Sequence, residues 1–284
     1  MKQYWNQKNY EEPCDELELL EIRLLLEGIY IHYGYDFRDY NLSSIRRRVW
    51  NRIWAEKLNS ISGLQEKVLH DVLCMARLFA DFSIIVTEMF RDASFFKTFR
   101  SKVVPLLRDC ASLRIWHAGC ATGEEVYSMA ILLEEEGLYE RTRIYATDMN
   151  ADALERAKQG IVKLNKMQNY TRNYLQAGGS KAFAEYYTAK HDHVVFNPAL
   201  IKNVVFGQHN LAVDGSFNEF HVILCRNVLI YFNRNLQSRV LGLFKESLIA
   251  KGILGLGIRE GVEYTHYGKC YEELDVGSRI YRKN

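Results

Sequence analysis

Apolar positions along this chain recur first at helical spacing and later in short runs closed by turn residues. Residues 1–14 are polar and aromatic without periodicity and read as a loose lead-in. From Asp15 a helix is expected, with Leu17, Leu20, Leu24 and Leu25 as its apolar stripe and Gly28 near its end; Gly34 and Asp36 then mark a turn. Ser43 or Ser44 can cap a second helix in which Ile45, Val49 and Ile53 share one face, continued by Trp50, Trp54 and Leu58. Leu64, Val68, Val72 and Met75 give a third helical pattern over 64–82, and Phe95, Phe96, Phe99, Val103, Leu106 and Leu107 a further helix.

The rhythm changes at Leu113. An apolar strand runs to Ala118, a turn follows with Gly119 and Gly123, and a helix opens at Glu124-Glu125 with Val126, Met129, Ala130 and Leu133 at its spacing. Arg143–Asp148 reads as a second strand and Ala151–Gln159 as the next helix. Residues 160–202, with tyrosines and Gly178-Gly179, exceed a plain connection and read as an inserted small subdomain. Strands are then expected at Asn203–Leu211, at His221 onward and at Gly252–Gly257, with a helix at Leu236–Leu248 and a last strand or hairpin through Ser278–Tyr281. This alternation is that of a doubly wound α/β sheet. The domain boundary is expected near residue 100, giving a first domain over 1–100 with a connector at Thr87–Arg91, a second over 101–284, and the insertion at 165–202.

Composition narrows the class only slightly. The chain has 284 residues, 48% hydrophobic, enough for one large or two modest domains, and a net charge of +2 that singles out no nucleic acid. Its six cysteines show no CxxC spacing, so no metal site is expected. Neither a signal-peptide pattern nor a run long enough to span a bilayer is seen, so a cytoplasmic protein with reduced thiols and no membrane insertion is expected.

Candidate chemistry centres on the Gly119–Glu125 turn. A phosphate loop would carry Lys-Ser/Thr after its glycines, whereas this one carries Glu124-Glu125, which repel pyrophosphate and welcome a cation. A nucleoside with a cationic tail fits, and S-adenosylmethionine is such a molecule; an ordinary turn with a solvated, helix-capping Glu pair is the alternative. Asp148, ending the second strand, can accept hydrogen bonds from both ribose hydroxyls or can cap the following helix. Arg91 can hold a carboxylate or simply pair with Asp92 on the surface. Arg48 and Arg52, one turn apart on the polar face, with Arg46 and Arg47 flanking the apolar band, form either a basic stripe for an acidic partner or a solvated face. His117, Cys120 and Cys225 read as packing residues.

Four motifs together give the chain a family. Thr87-Glu-Met-Phe-Arg91-Asp92, Arg114-Ile-Trp-His-Ala-Gly-Cys-Ala-Thr-Gly-Glu-Glu125, Ala146-Thr-Asp148 and Cys225-Arg-Asn-Val-Leu-Ile-Tyr-Phe232 stand in one order, and residues 15–282 resemble the CheR-type chemotaxis receptor methyltransferases. The resemblance implies an all-helical N-terminal domain followed by a Rossmann-like methyltransferase sheet with an inserted small β-subdomain. It implies S-adenosylmethionine as cofactor, S-adenosylhomocysteine as product, and glutamates on the cytoplasmic domains of chemoreceptors as substrate for a monomeric enzyme. Thr87, Arg91, Gly119, Glu125, Asp148, Asn210, Leu211, Arg226 and Asn227 would contact the cofactor. Asp148 would take the ribose, Glu125 the methionine end, Asn210-Leu211 the adenine, and Arg226-Asn227 the floor. Two positions depart from the family pattern: Ile85 replaces a polar Asn, and Met89 an aromatic.

Methyl transfer from a sulfonium is a direct displacement, and a glutamate is already ionised at neutral pH, so no general base is needed. The nucleophile needs orienting, for which Arg91 and Tyr231 are the candidates; Tyr231 as an aromatic packed under the sheet edge is the alternative. A methyltransferase for a small molecule or RNA, and a cofactor-binding signalling module without turnover, are the rival readings.

Overall fold

The computed structural model describes residues 15–83 and 85–284; the lead-in expected over 1–14 lies outside them. The chain divides into two compact units, one of residues up to 84 together with 231–236, the other of residues 85–230 and 237–284.

The first unit holds α1 (Glu16–Tyr33), α2 (Leu42–Ala55), α3 (Ile61–His70) and α4 (Val72–Phe82). Asp15 caps α1 by accepting the Glu18 N–H, and Gly34, with φ +77°, ends it in the left-handed region. The α1 stripe differs from the sequence expectation. Leu17, Leu20 and Leu24 are 66%, 53% and 50% exposed, whereas Ile22, Leu25, Leu26 and Ile29 are buried. The cause is Glu18. Its buried carboxylate takes two hydrogen bonds from Arg46, at 2.8 and 3.0 Å, and one from Trp50 Nε1 at 2.6 Å. That inward ionic anchor fixes the rotation of the helix. In α2, Ile45, Val49 and Ile53 are buried as expected, but the cap is Asn41, which accepts the Ser43 and Ser44 N–H groups.

The boundary falls at residues 84 and 85 rather than near 100. The reason is α5 (Ala93–Thr98) and α6 (Val104–Leu107), joined by a π-helical turn at Phe99–Val103. Their Phe95, Phe96, Phe99, Val103 and Leu107 belong to the core of the second unit. Pro105 has no N–H to donate one turn back, which fits the widened turn before it.

The second unit continues with β1 (Leu113–Ala118), α7 (Glu124–Glu135), β2 (Thr142–Asp148), α8 (Ala151–Gln159), β3 (Ile161–Lys163), α9 (Met167–Gln176), β4 (Tyr187–Ala189), β5 (His193–Phe196), β6 (Val204–Gln208), β7 (Phe220–Cys225), α10 (Arg234–Ser247, its first turn in the helical unit), β8 (Leu248–Leu256), β9 (Tyr271–Asp275) and β10 (Ile280–Lys283). One sheet has the order β6-β2-β1-β7-β8-β10-β9. Its first five strands are parallel, and β10 and β9 form the antiparallel terminal hairpin. Ile115 of β1 stands between Ile144 of β2 and Val222 of β7. The chain therefore leaves β1 toward β2 and later returns on its other side, which makes the carboxyl end of β1 a topological switch point. The insertion forms a separate antiparallel sheet, β3-β5-β4. It is tied to α7 through Glu135, whose carboxylate receives the Tyr174 and Tyr186 hydroxyls and the Arg100 guanidinium.

Candidate active site

The Gly119–Glu125 turn sits at that switch point. Gly119, Ala121 and Gly123 have φ of +81°, +48° and +88°, so three residues in five take a left-handed backbone. A Cβ on Gly119 would lie 2.6 Å from Val228 Cγ2, and one on Gly123 would lie 2.9 Å from the Ala157 Cβ. The glycines thus let the turn close against the loop after β7 and against α8. The Gly119 and Cys120 N–H groups both donate to the Thr147 carbonyl, at 2.8 and 2.9 Å, which welds the turn to the end of β2.

Asp148 follows directly. One oxygen accepts the Ala121 N–H and the other the Asn150 N–H, each at 2.9 Å. The cap of α8 is Asn150, not Asp148. The capping alternative is thereby removed, and the half-buried Asp148 carboxylate is held at the carboxyl edge of the sheet. Burial pushes it above the ordinary carboxylate range, against the pull of the N–H groups.

Glu125 is the other fixed acid. His117 Nδ1 lies 3.1 Å from one oxygen, and Arg226 Nη1 donates to the other at 2.8 Å. Burial alone would raise this carboxyl, but Arg226 and then His117 outweigh it and hold Glu125 below its usual range. His117 is therefore more than a packing residue, while Cys120 and Cys225 are buried thiols whose pKa burial raises strongly. Glu124 is buried against the Thr122 hydroxyl, which donates at 2.6 Å, and burial raises its pKa.

Arg226 has a side chain only 1% exposed. Besides Glu125 it donates to Asp92 at 2.8 Å and to the Arg91 carbonyl at 3.2 Å, and its guanidinium lies 4.0 Å from the centroid of the Phe95 ring. Asp92 thus pairs with Arg226 rather than with Arg91, whose own Nη1 reaches the Val86 carbonyl at 3.3 Å. Phe90 and Asp92 have φ of +51° and +55°, and the Ser128 hydroxyl accepts the Phe90 N–H at 2.9 Å. The connector is consequently pinned to α7 and to the end of β7 on both sides of Arg91. Thr87 is half-buried four residues before Arg91.

The remaining expected residues are more dispersed in role. Asn210 Oδ1 accepts the Ala212 N–H at 3.0 Å, shaping the turn after β6, and Leu211 is buried. Asn227 has φ +62°. Tyr231 belongs to the helical unit, where its carbonyl accepts the Asn41 N–H at 2.8 Å and Arg48 lies 5.6 Å from its ring centroid. Arg48 and Arg52 form no exposed stripe. Arg48 is 8% exposed and donates to the Ser44 carbonyl at 2.7 Å and to the Ser44 hydroxyl. Arg52 is held by Asp81 at 2.6 Å and Glu56 at 3.2 Å, and the exposed arginine of α2 is Arg47. Asp92 and Glu260 were not singled out as site residues by the sequence. Glu260 follows a strand-ending glycine by three positions, a pattern that only the fold makes meaningful.

Comparison with known proteins agrees with this geometry. Residues 85–273 match the family described as CheR methyltransferase, SAM binding domain, and residues 20–83 match CheR methyltransferase, all-alpha domain. The chain is 51% identical over 265 residues to the protein Cher3 of Pseudomonas putida, covering 93% of this chain and 97% of that protein. It is 29% identical over 231 residues to a chemotaxis protein methyltransferase of Listeria innocua, covering 81% and 85%. It is 31% identical over 192 residues to the chemotaxis protein methyltransferase of Escherichia coli, covering 63% and 62%. With an all-helical unit, a switch-point turn carrying Glu125, and family matches over both units, the chain belongs to the CheR methyltransferase family.

Proposed function

We propose that the protein esterifies glutamate side chains on the cytoplasmic domains of chemoreceptors, using S-adenosylmethionine and releasing S-adenosylhomocysteine, and that it works as a cytoplasmic monomer without a metal. The observation that carries the reading is the pair of fixed acids at the switch point. Arg226 and His117 hold Glu125 below its usual range, and Asp148 closes the adjoining strand. An anionic turn with no Lys-Ser/Thr pair suits a nucleoside with a cationic tail and opposes a phosphate chain. The donor set therefore fits S-adenosylmethionine, which when bound supplies an electrophilic methyl group on a sulfonium, open to in-line attack by a carboxylate oxygen.

The residues divide the work. Asp148 takes the ribose hydroxyls, Glu125 the ammonium end, Asn210-Leu211 the adenine, and Gly119, Thr87 and Asn227 contact the cofactor beside them. Arg226 contributes through Glu125, because its guanidinium is already engaged by Glu125, Asp92 and the Arg91 carbonyl. Arg91 orients the incoming carboxylate. Neutralising that carboxylate by esterification loosens its hold on Arg91, so product release follows from the same electrostatics.

The test is methyl transfer from radiolabelled S-adenosylmethionine to membranes carrying the receptors of the source organism. Base-labile label on a receptor-sized band is expected, and Arg91→Ala should lower it at least about tenfold, the worth of one hydrogen bond to a charged group. Cofactor binding by calorimetry with no labelled receptor would turn the reading toward a binding module without turnover.

A further inference from the structure

Glu260 lies just past β8, outside every motif that marks the family resemblance. It is 6% exposed, and among the described residues no lysine, arginine or histidine forms an ion pair with it. A buried carboxylate without a cation is costly unless hydrogen-bond donors surround it. Here they do. Oε2 accepts the Gly257 N–H at 2.6 Å and the Asn227 N–H at 2.9 Å, and Oε1 accepts the Ile230 N–H at 3.2 Å.

These three amides come from the loops at the carboxyl ends of β7 and β8, neighbouring parallel strands in which Cys225 stands opposite Leu256. The site is tight. A Cβ on Gly257 would lie 2.7 Å from Glu260 Oε2, 2.8 Å from Asn227 N and 3.0 Å from Asn227 Nδ2, so only glycine fits there. Asn227 itself is held in the left-handed region, and the next residue, Val228, abuts Gly119. A conformation that costs free energy is thus imposed on a loop that touches the cofactor turn.

We propose that Glu260 is a positioning residue for the cofactor: its carboxylate clamps the Asn227–Ile230 loop so that Asn227 and the Gly119 turn present a preformed floor. The proposal rests on the cofactor reading above and adds to it a residue that touches no ligand. An acceptor-only group is required, because three N–H donors converge on two oxygens. Glutamine would turn an NH2 against at least one of them, and aspartate is one methylene short.

The test is calorimetric binding of S-adenosylhomocysteine to the intact two-unit chain. Glu260→Gln is expected to weaken binding about tenfold, the loss of one hydrogen bond to a charged group, with the thermal midpoint of the ligand-free protein within a few degrees of wild type. Glu263→Gln, three residues on and half-exposed, should bind as wild type does. Wild-type affinity in Glu260→Gln would overturn the proposal, as would a fallen midpoint with unchanged affinity. Should that variant not fold, amide NMR of the wild-type protein decides. The Asn227, Ile230 and Gly257 amide signals are expected to shift on adding S-adenosylhomocysteine, and their staying fixed would overturn the clamp. If the wild-type protein does not bind S-adenosylhomocysteine, the cofactor reading fails first and the clamp falls with it.

Discussion

Arg226 bridges two segments far apart in sequence, with Glu125 on one side and Asp92 on the other, and its removal would leave both carboxylates, 17% and 25% exposed, without their guanidinium. Losing a hydrogen bond to a charged group typically costs about 1.5–3 kcal/mol. Arg226→Ala should therefore destabilise the second unit by roughly that amount in denaturant unfolding, whereas a loss under about 1 kcal/mol would place the network at the level of a surface pair. Arg226→Lys keeps the charge but cannot reach Glu125, Asp92 and the Arg91 carbonyl together, and should fall between the two. Asp148 answers to a different experiment. Its oxygens already accept the Ala121 and Asn150 N–H groups, so replacing it changes the turn as well as any ligand contact. Asp148→Asn should weaken S-adenosylhomocysteine binding about ten- to hundredfold, the range for losing charge-assisted hydrogen bonds; unchanged affinity would remove Asp148 from the ribose role.

Among the elements, α2, α3 and α4 are tied together by one acid. Glu56, just past α2, accepts hydrogen bonds from Arg77 of α4 and Lys67 of α3, each at 2.7 Å, and from Arg52 of α2 at 3.2 Å. Arg77 first, then Lys67, lower its pKa from 4.5 to about 2. A depressed carboxyl stabilises the fold fully above its unfolded pKa and loses that contribution as pH falls through the folded one. The helical unit should thus lose stability between about pH 4.5 and 2, and Glu56→Gln should flatten that part of the acid-unfolding curve. A variant with the wild-type slope would assign acid sensitivity to other groups. The sequence made most elements legible, for reasons that differ. The β1–α7 unit stands out because an apolar run, two glycines and a 3.6-residue period follow one another within two dozen residues. In α1 the same kind of pattern misleads, since Leu17, Leu20 and Leu24 form as good a stripe as Ile22, Leu25, Leu26 and Ile29, and a contact with Arg46, 28 positions away, decides between them. The insertion's three strands have only three or four residues each, too short for an alternation to register. Site residues follow the same division. Glu125, in the first turn of α7, and Asp148, at the end of β2, are visible from their place in the pattern, whereas Asp92 and Glu260 acquire meaning only through partners 134 and 33 residues distant.

At the scale of the whole molecule, the chain path makes the helical unit discontinuous. Residues 231–236, which follow the loop clamped by Glu260, leave the second unit and complete the first. The Asn41 N–H donates to the Tyr231 carbonyl, the Asn233 N–H to the Asp39 carbonyl, and the Asn233 carboxamide to the Asp39 carboxylate, all at 2.8 Å. Phe232 is buried, with its ring 5.0 Å from that of Tyr40 in an edge-on arrangement. A fragment ending at residue 84 lacks all of these. Counting about 1 kcal/mol for each hydrogen bond and about 1 kcal/mol for the aromatic pair, it forgoes roughly 4 kcal/mol, a large share of the stability of a small helical domain. Comparing the unfolding of that fragment with the helical transition of the intact protein should show a clearly lower midpoint, and adding residues 231–236 through a flexible linker should restore much of the difference. Equal midpoints would mean that the four helices are self-sufficient and that the returning segment is only passing by. A lower midpoint would mean that the returning segment is part of the fold of the helical unit, and that the position of Tyr231 within it depends on the folding of those four helices.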